Sequence, residues 1–285
     1  MNKAPHYLSI VACIKNEAPY LEEWIEFHLA VGVDHFYLYN NESVDNTNEV
    51  LQPYIDAGVV SLFNTDMDNC QFACYYNALT AFRDQSVWMA FIDADEFLFS
   101  PKGHTPTGWL PKELEAFETT VPGIAVNEVF FGSNGHKKKP KGLVLESYTK
   151  REEVLNLHIK SIVQPKYTIC PANNPHSFLY VGQPPSPAGT EEFKPCPGPF
   201  TETHSSDVFR IHHYFSKSRE EAKVKLDRGR ADVPKRDPMF RYGSGISVTL
   251  DDYCAGSNDV EDNYMVESGL TDIVKKAIDG KNKNS

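Results

Sequence analysis

Two carboxylates stand one residue apart where an entirely apolar run ends: Val87 to Ile92 leads straight into Asp93-Ala94-Asp95. On a turn that leaves extended geometry, both side chains can face one hard cation. Mn2+ or Mg2+ is the expected cofactor, because each prefers oxygen ligands and shares its shell with a substrate diphosphate. Such a cation acts as a Lewis acid toward charge growing on a leaving phosphate. Two acids at a buried strand's exit repel each other without one, so the arrangement is costly unless it is used.

The elements that must position this turn can be read from the residues before it. Tyr7 to Ile14 is an apolar, β-forming run, predicted as a buried strand. Ala18-Pro19 opens a helix, with proline where a missing N–H costs little. Leu21, Trp24, Ile25, His28 and Leu29 share one face, Glu22, Glu23 and Glu26 fall elsewhere, and Gly32 fits the stop. Phe36 to Tyr39 is a second strand. Asp45 or Thr47 caps a helix carrying Val50, Leu51, Tyr54 and Ile55 that ends at Gly58. Val59 to Phe63 is a third strand, Phe72, Tyr75, Tyr76 and Leu79 form the apolar face of a third helix, and Val87 to Ile92 is a fourth strand. This alternation predicts an α/β fold with a mostly parallel central sheet and helices on both faces. Ligands of such sheets bind beyond the carboxyl ends of the strands. Lys15-Asn16-Glu17, Asn40-Asn41-Glu42-Ser43, Asp66 to Gln71 and Asp93-Ala94-Asp95 would all stand on that edge.

The second half is less regular and predicts a smaller mixed β region. Ile124 to Phe131 and Val208 to His213 read as strands. Residues 184–199 hold six prolines and two glycines, a long surface loop. Lys137-Lys138-Lys139 reads as a solvated loop. Ser218-Arg219-Glu220-Glu221 opens a helix to about Arg228. The expected organisation is one domain over residues 1–256, with a nucleotide-binding half at 7–100 and an acceptor-side half at 101–256. A polar C-terminal tail would follow at 257–285.

Composition narrows the function. With 285 residues, 41% of them hydrophobic, the chain can bury a sizeable core. A net charge of −11 argues against general affinity for nucleic acid. The six cysteines are too sparse for a disulfide framework. Cys70 and Cys74, at helical spacing, read as buried small side chains in preference to a zinc site. No apolar run approaches the length of a membrane span. A complete chain would be cytoplasmic, and a Golgi-lumenal place follows only for a fragment cut from an anchored protein. Neither case excludes peripheral association with a membrane.

Several motifs occur in order that together resemble glycosyltransferase family 92. They include Lys15-Asn16-Glu17, Trp24-Ile25-x-Phe27-His28, His35-Phe36-Tyr37-Leu38-Tyr39-Asn40-Asn41 and Phe91-Ile92-Asp93-Ala94-Asp95-Glu96-Phe97. Phe131-Gly132-Ser133, Lys160-Ser161-Ile162-Val163, His176-Ser177-Phe178, His212-His213-Tyr214 and Arg228-Gly229-Arg230-Ala231-Asp232 continue it, over roughly residues 7 to 235. The resemblance implies a GT-A nucleotide-sugar-binding fold and inverting, Mn2+-dependent transfer of a sugar, galactose from UDP-galactose first, to a glycan or glycolipid acceptor. It implies that His213 completes the metal shell with Asp93 and Asp95, while His212 points to the opposite face of the strand. Asp93 would face the donor ribose or the metal.

Ala12, Lys15, Asn16, Glu17, Asn40 and Gln71 would line the strand ends where uracil and ribose lie, and Arg230, Arg228 or Lys217 would meet the diphosphate. The family usually has Asp-Asn-Ser-Ser where this chain has Asn40-Asn41-Glu42-Ser43. An inverting transfer needs a general base, assigned first to Asp232 and then to Asp207 or Glu128. Trp109, Tyr180 and Phe200 are candidates for stacking on an acceptor sugar. A sugar-nucleotide nucleotidyltransferase is an alternative, but it usually has a glycine-rich loop after the first strand, and none stands here. A non-catalytic carbohydrate-binding protein would leave the acidic pair unexplained.

Overall fold

The computed structural model describes residues 4–67, 70–102, 108–181, 186–187, 198–228 and 249–282. Its first half is the alternation expected: β1 (His6–Ile14), α1 (Ala18–Ala30), β2 (His35–Asn41), α2 (Thr47–Asp56), β3 (Val60–Thr65), α3 (Cys70–Ala81), β4 (Ser86–Phe91) and β5 (Glu96–Phe99). There follow α4 (Leu110–Glu115), β6 (Gly123–Phe131), α5 (Val144–Ser147), β7 (Lys150–Arg151), β8 (Ile159–Val163), β9 (Thr168–Pro171), β10 (Phe178–Tyr180), β11 (Ser186–Pro187) and β12 (Arg210–Tyr214). The described chain closes with α6 (Arg219–Arg228), α7 (Leu250–Ala255), β13 (Val260–Glu261), α8 (Tyr264–Glu267) and α9 (Leu270–Asn282).

The main sheet runs β3-β2-β1-β4-β8-β6-β7-β13, a mixed α/β arrangement. Strands β1 to β4 are parallel, and β8 lies antiparallel between β4 and β6. Strand β12 pairs parallel with β6 and antiparallel with β5. The apolar runs within β1, β2 and β4 have a plain cause: both faces of these strands are covered. Leu8, Ile10, Ala12, Phe36, Leu38, Trp88 and Ala90 join one core beneath α1, while Val11, Tyr37, Tyr39, Met89 and Phe91 join a second one with α3. Each large side chain so buried contributes about 1.5–3 kcal/mol.

Helix α1 stops at Gly32 as the sequence predicts. Its φ is +99°, and a Cβ there would meet Pro111 Cδ at 2.6 Å, so only glycine serves. Three features differ from expectation. Helix α3 does not bury Phe72 or Tyr76, which are 43% and 50% exposed; it turns Cys70, Gln71, Cys74, Tyr75, Ala78 and Leu79 inward. Small side chains at Cys74 and Ala78 let the helix approach the sheet. Glu23 and Glu26, expected on the solvent face of α1, are buried. Glu23 accepts the N–H groups of Val144 and Leu145 at 2.8 and 2.9 Å and so caps α5, and burial pushes its carboxyl up to about 7. Glu26 accepts Tyr54 at 2.7 Å and pairs with Lys281 at 2.5 Å. Finally, the segment after Gly256 is folded. Its overall polarity conceals one apolar stripe, Leu270, Val274 and Ile278, that packs α9 into the core beside α1.

Candidate active site

At the carboxyl ends of β1, β2 and β4 lies a cavity of about 390 Å3. Its wall joins Lys15 and Glu17 after β1, Asn41 at the end of β2, Gln71 on the first turn of α3, Asp93 to Asp95 between β4 and β5, and Glu96 at the start of β5. The far wall is Glu128 and Phe130 on β6, His158 and Lys160 at β8, His213 on β12, and Lys225 and Arg228 on α6.

The acidic turn is closed by its own bonds. Asp93 N donates to Glu96 Oε2 at 2.9 Å, and Glu96 N donates to Asp93 O at 3.1 Å. Strand pairing then sets the register. His213 lies opposite Glu96 on β5 and opposite Phe130 on β6, so its ring enters between Asp95, Glu96 and Glu128. His213 Nε2 is 3.6 Å from Asp95 Oδ1, and Nδ1 is 3.5 Å from Glu96 Oε1 and 3.1 Å from Glu128 Oε1. Strand alternation sends His212 the other way, into a ring of Phe99, Phe131 and Tyr214, where burial lowers its pKa to about 3.

Asp93 and Asp95 face different partners. Asp93 accepts Gln71 Nε2 at 2.7 Å and Lys160 Nζ at 2.6 Å; Lys160 also sits 3.2 Å from Glu96. Asp95 is bonded by the ammonium of Lys225, which also donates to Phe215 O at 3.0 Å. Charge states follow from these neighbours. Burial opposes the charge on Asp95, but Lys225 and His213 outweigh it and hold the carboxyl well below its usual range. Burial likewise opposes the charge on Lys160, yet Asp93 and Glu96 keep the amine protonated well above its usual value. Burial raises the Glu96 carboxyl above its usual range; Lys160 opposes this, and Glu128 and Asp93 add to it. Burial lowers His213, but Asp95 and Glu96 more than reverse this and raise it to about 10.

Among the described residues, Asp95, Glu96 and His213 bring ligand atoms within 4.8 Å of one another at the cavity. Glu96 Oε1, Glu128 Oε1 and His213 Nδ1 are buried there without a well-aligned hydrogen bond. Oxygen and imidazole donors of this kind suit Mn2+. Asp95 Oδ1 and His213 Nε2 are the atoms that would hold it, with Glu128 fixing the imidazole from behind.

The model of glycosyltransferase family 92 matches residues 9–184 of this chain. The chain belongs to glycosyltransferase family 92. Family 92 proteins of Ricinus communis and Oryza sativa subsp. japonica are each 30% identical to it, over 57% and 56% of this chain. The aligned part spans only 29% and 27% of those relatives. The chain is also similar to Staphylococcus aureus TarS residues 1–349, solved in complex with UDP, at 14% identity and a TM-score of 0.39 over 56% of this chain and 47% of that one. Glucosyl-3-phosphoglycerate synthase of Mycobacterium tuberculosis, solved with Mn2+, UDP and glucosyl-3-phosphoglycerate, is similar at 14% identity and a TM-score of 0.33, over 56% and 57% of the two chains. At that distance no residue correspondence follows.

Within this family 92 chain, Lys15, Glu17, Gln71, Asp93, Asp95 and His213 line the cavity together. Three residues expected beside them do not. Ala12 turns its side chain into the core beneath α1. Asn16, at φ +52°, accepts Val44 N at 2.8 Å and shapes the loop. Asn40 donates to Asn48 and Asn64 at 3.3 and 3.2 Å and accepts Ser43 N at 3.1 Å, leaving the cavity edge to its neighbour Asn41. Arg230 and Asp232 lie outside the described residues. Arg228 pairs with Glu17 at 2.5 Å and donates to Lys15 O. Lys217, a candidate for the diphosphate, does not line the cavity; it is buried with its ammonium 4.4 Å from the Tyr20 ring centre. Phe200 lines the cavity, whereas Trp109 and Tyr180 do not.

The structure adds Glu96, His158, Lys160 and Lys225 to the site. Two of these carry a signal in the sequence: Lys160 is a lone cation inside the strand Ile159–Val163, and Glu96 adjoins the acidic pair. Lys225 has none, since it stands among many charges on α6.

Proposed function

We propose that this chain is an inverting, metal-dependent glycosyltransferase that moves a hexose, galactose first, from a UDP-sugar to a hydroxyl of a glycan or glycolipid. The observation that carries the reading is the meeting of Asp95 and His213 at the strand-end cavity. The family assignment supports the reaction class, and the geometry is consistent with the following roles. Lys15, Lys225 and Arg228 stand on the same cavity and suit the oxygens of a diphosphate. Gln71 and Asn41 offer amide groups, and Asp93 a carboxylate, for the ribose and base. A cation held by Asp95 and His213 would neutralise charge on the departing diphosphate. The buried carboxylates of Glu96 and Glu128 lie behind His213, 3.5 and 3.1 Å from its Nδ1. None of the helices among the described residues is long and apolar enough to cross a membrane.

The experiment is a panel of UDP-sugars assayed for UDP release with Mn2+ or with EDTA. Release from UDP-galactose in Mn2+ that stops in EDTA supports the reading. Equal release in both removes the metal, and release of pyrophosphate in place of UDP makes the protein a nucleotidyltransferase.

A further inference from the structure

Glu128 is fully buried, and its two oxygens meet two different imidazoles. Oε1 lies 3.1 Å from His213 Nδ1, and Oε2 accepts a hydrogen bond from His158 Nδ1. A carboxylate at Nδ1 keeps the proton there and leaves the lone pair on Nε2. On His158 that second nitrogen is on the side of the ring away from Glu128. His158 lines the cavity with 23% of its side chain exposed. Its backbone is pinned by a 2.8 Å bond from its N–H to Asn156 Oδ1 and by a bridge to Phe200. Its ring packs against His176 and Phe200, with centroids 4.2 and 5.3 Å away. A buried carboxylate, an imidazole bonded to it, and a cavity that this side chain lines are the parts of a general-base device.

We propose that His158, oriented by Glu128, is the catalytic base that deprotonates the acceptor hydroxyl; this rests on the sugar-transfer reading above. Nε2 takes the hydroxyl proton while that oxygen bonds to the anomeric carbon. The bond from this carbon to the donor phosphate oxygen breaks, and its electron pair leaves with the nucleoside diphosphate. The proton ends on the imidazole, whose new charge Glu128 stabilises. Glu128 itself lies behind two imidazoles and acts through His158 as a positioning residue. Asp207, also considered from sequence after Asp232, is exposed and does not line the cavity.

The test uses the whole chain with Mn2+ and UDP-galactose, water serving as acceptor, and follows UDP release beside UDP affinity. His158→Asn keeps an amide nitrogen where Nδ1 meets Glu128 but has no basic nitrogen. UDP release should fall about 10²–10⁴-fold with UDP affinity unchanged to within about twofold. Imidazole added to His158→Gly should restore part of the rate. Three results would each overturn the proposal: release by His158→Asn within about threefold of the unmodified protein, no response of His158→Gly to imidazole, or loss of UDP affinity as large as the loss of rate. A rate lost in Asp232→Asn and kept in His158→Asn would move the base to Asp232. An unmodified chain that neither binds UDP nor releases it from any UDP-sugar would remove the sugar-transfer reading, and this proposal with it.

Discussion

Replacing Lys160 by Met tests whether the acidic turn is held together by one buried ammonium. Lys160 is 2% exposed and stands 2.6 Å from Asp93 and 3.2 Å from Glu96. At 2.6 Å and an effective dielectric of about 20, the attraction to Asp93 alone comes to about 6 kcal/mol. Desolvation of the ammonium offsets part of this. Removing one partner of a fully buried pair costs about 3–5 kcal/mol; Asp93 is 33% exposed and solvent compensates part of its charge, so the expected loss is about 2–3 kcal/mol. Burial holds the Glu96 carboxyl above its usual range, which reduces its share of this loss. Urea unfolding of Lys160→Met should show that loss, and adding Asp93→Asn to the variant should recover more than half of it by removing the stranded charge. A loss below about 1 kcal/mol, or no recovery in the double variant, would refute the reasoning.

Three further outcomes are expected. His212→Phe should stabilise the protein by roughly 1–3 kcal/mol in chemical denaturation at pH 7, because both imidazole nitrogens are buried without a hydrogen bond. The same substitution should flatten the acid side of the stability profile. His212 and His28 are both lowered by burial to about 3, so the unfolded chain takes up protons that the folded chain refuses. Their contribution is complete above pH 6.5 and is lost as pH falls from there toward 3, up to about 5 kcal/mol for each group. Thermal unfolding from pH 7 to 4 should show the steeper loss in the unmodified protein. Val274→Ala should cost about 2 kcal/mol, since Val274 is 0% exposed in the stripe that seats α9; a change near zero in urea unfolding would mean the C-terminal helix is not part of the cooperative unit.

The parallel half of the fold was legible because its strands obey one rule. Runs such as Val87 to Ile92 are apolar throughout because two cores claim alternate residues. The acidic turn was legible for the same reason, as polar residues at the end of such a run, whereas His213 came only from the family resemblance. What stayed hidden depends on contacts far apart in sequence. Glu23 and Glu26 read as solvent-facing until α5 and α9 cover them. Phe72 and Tyr76 read as core by type, but the sheet admits only the narrower face of α3. Asn40 read as a ligand group from its place after β2, yet its amide is spent on Asn48, Asn64 and Ser43. Glu128 and His158 are brought together only by the pairing of β6 with β8.

The central claim is that Asp95 and His213 hold a divalent cation that a UDP diphosphate shares. Calorimetric titration of UDP into the protein in Mn2+, in EDTA, and into Asp95→Ala in Mn2+ tests it most directly. The account predicts that Mn2+ tightens UDP binding at least about tenfold, or about 1.4 kcal/mol, in the unmodified protein, and that Asp95→Ala abolishes this gain. UDP affinity that is the same in EDTA as in Mn2+, or a Mn2+ gain that survives in Asp95→Ala, would contradict it.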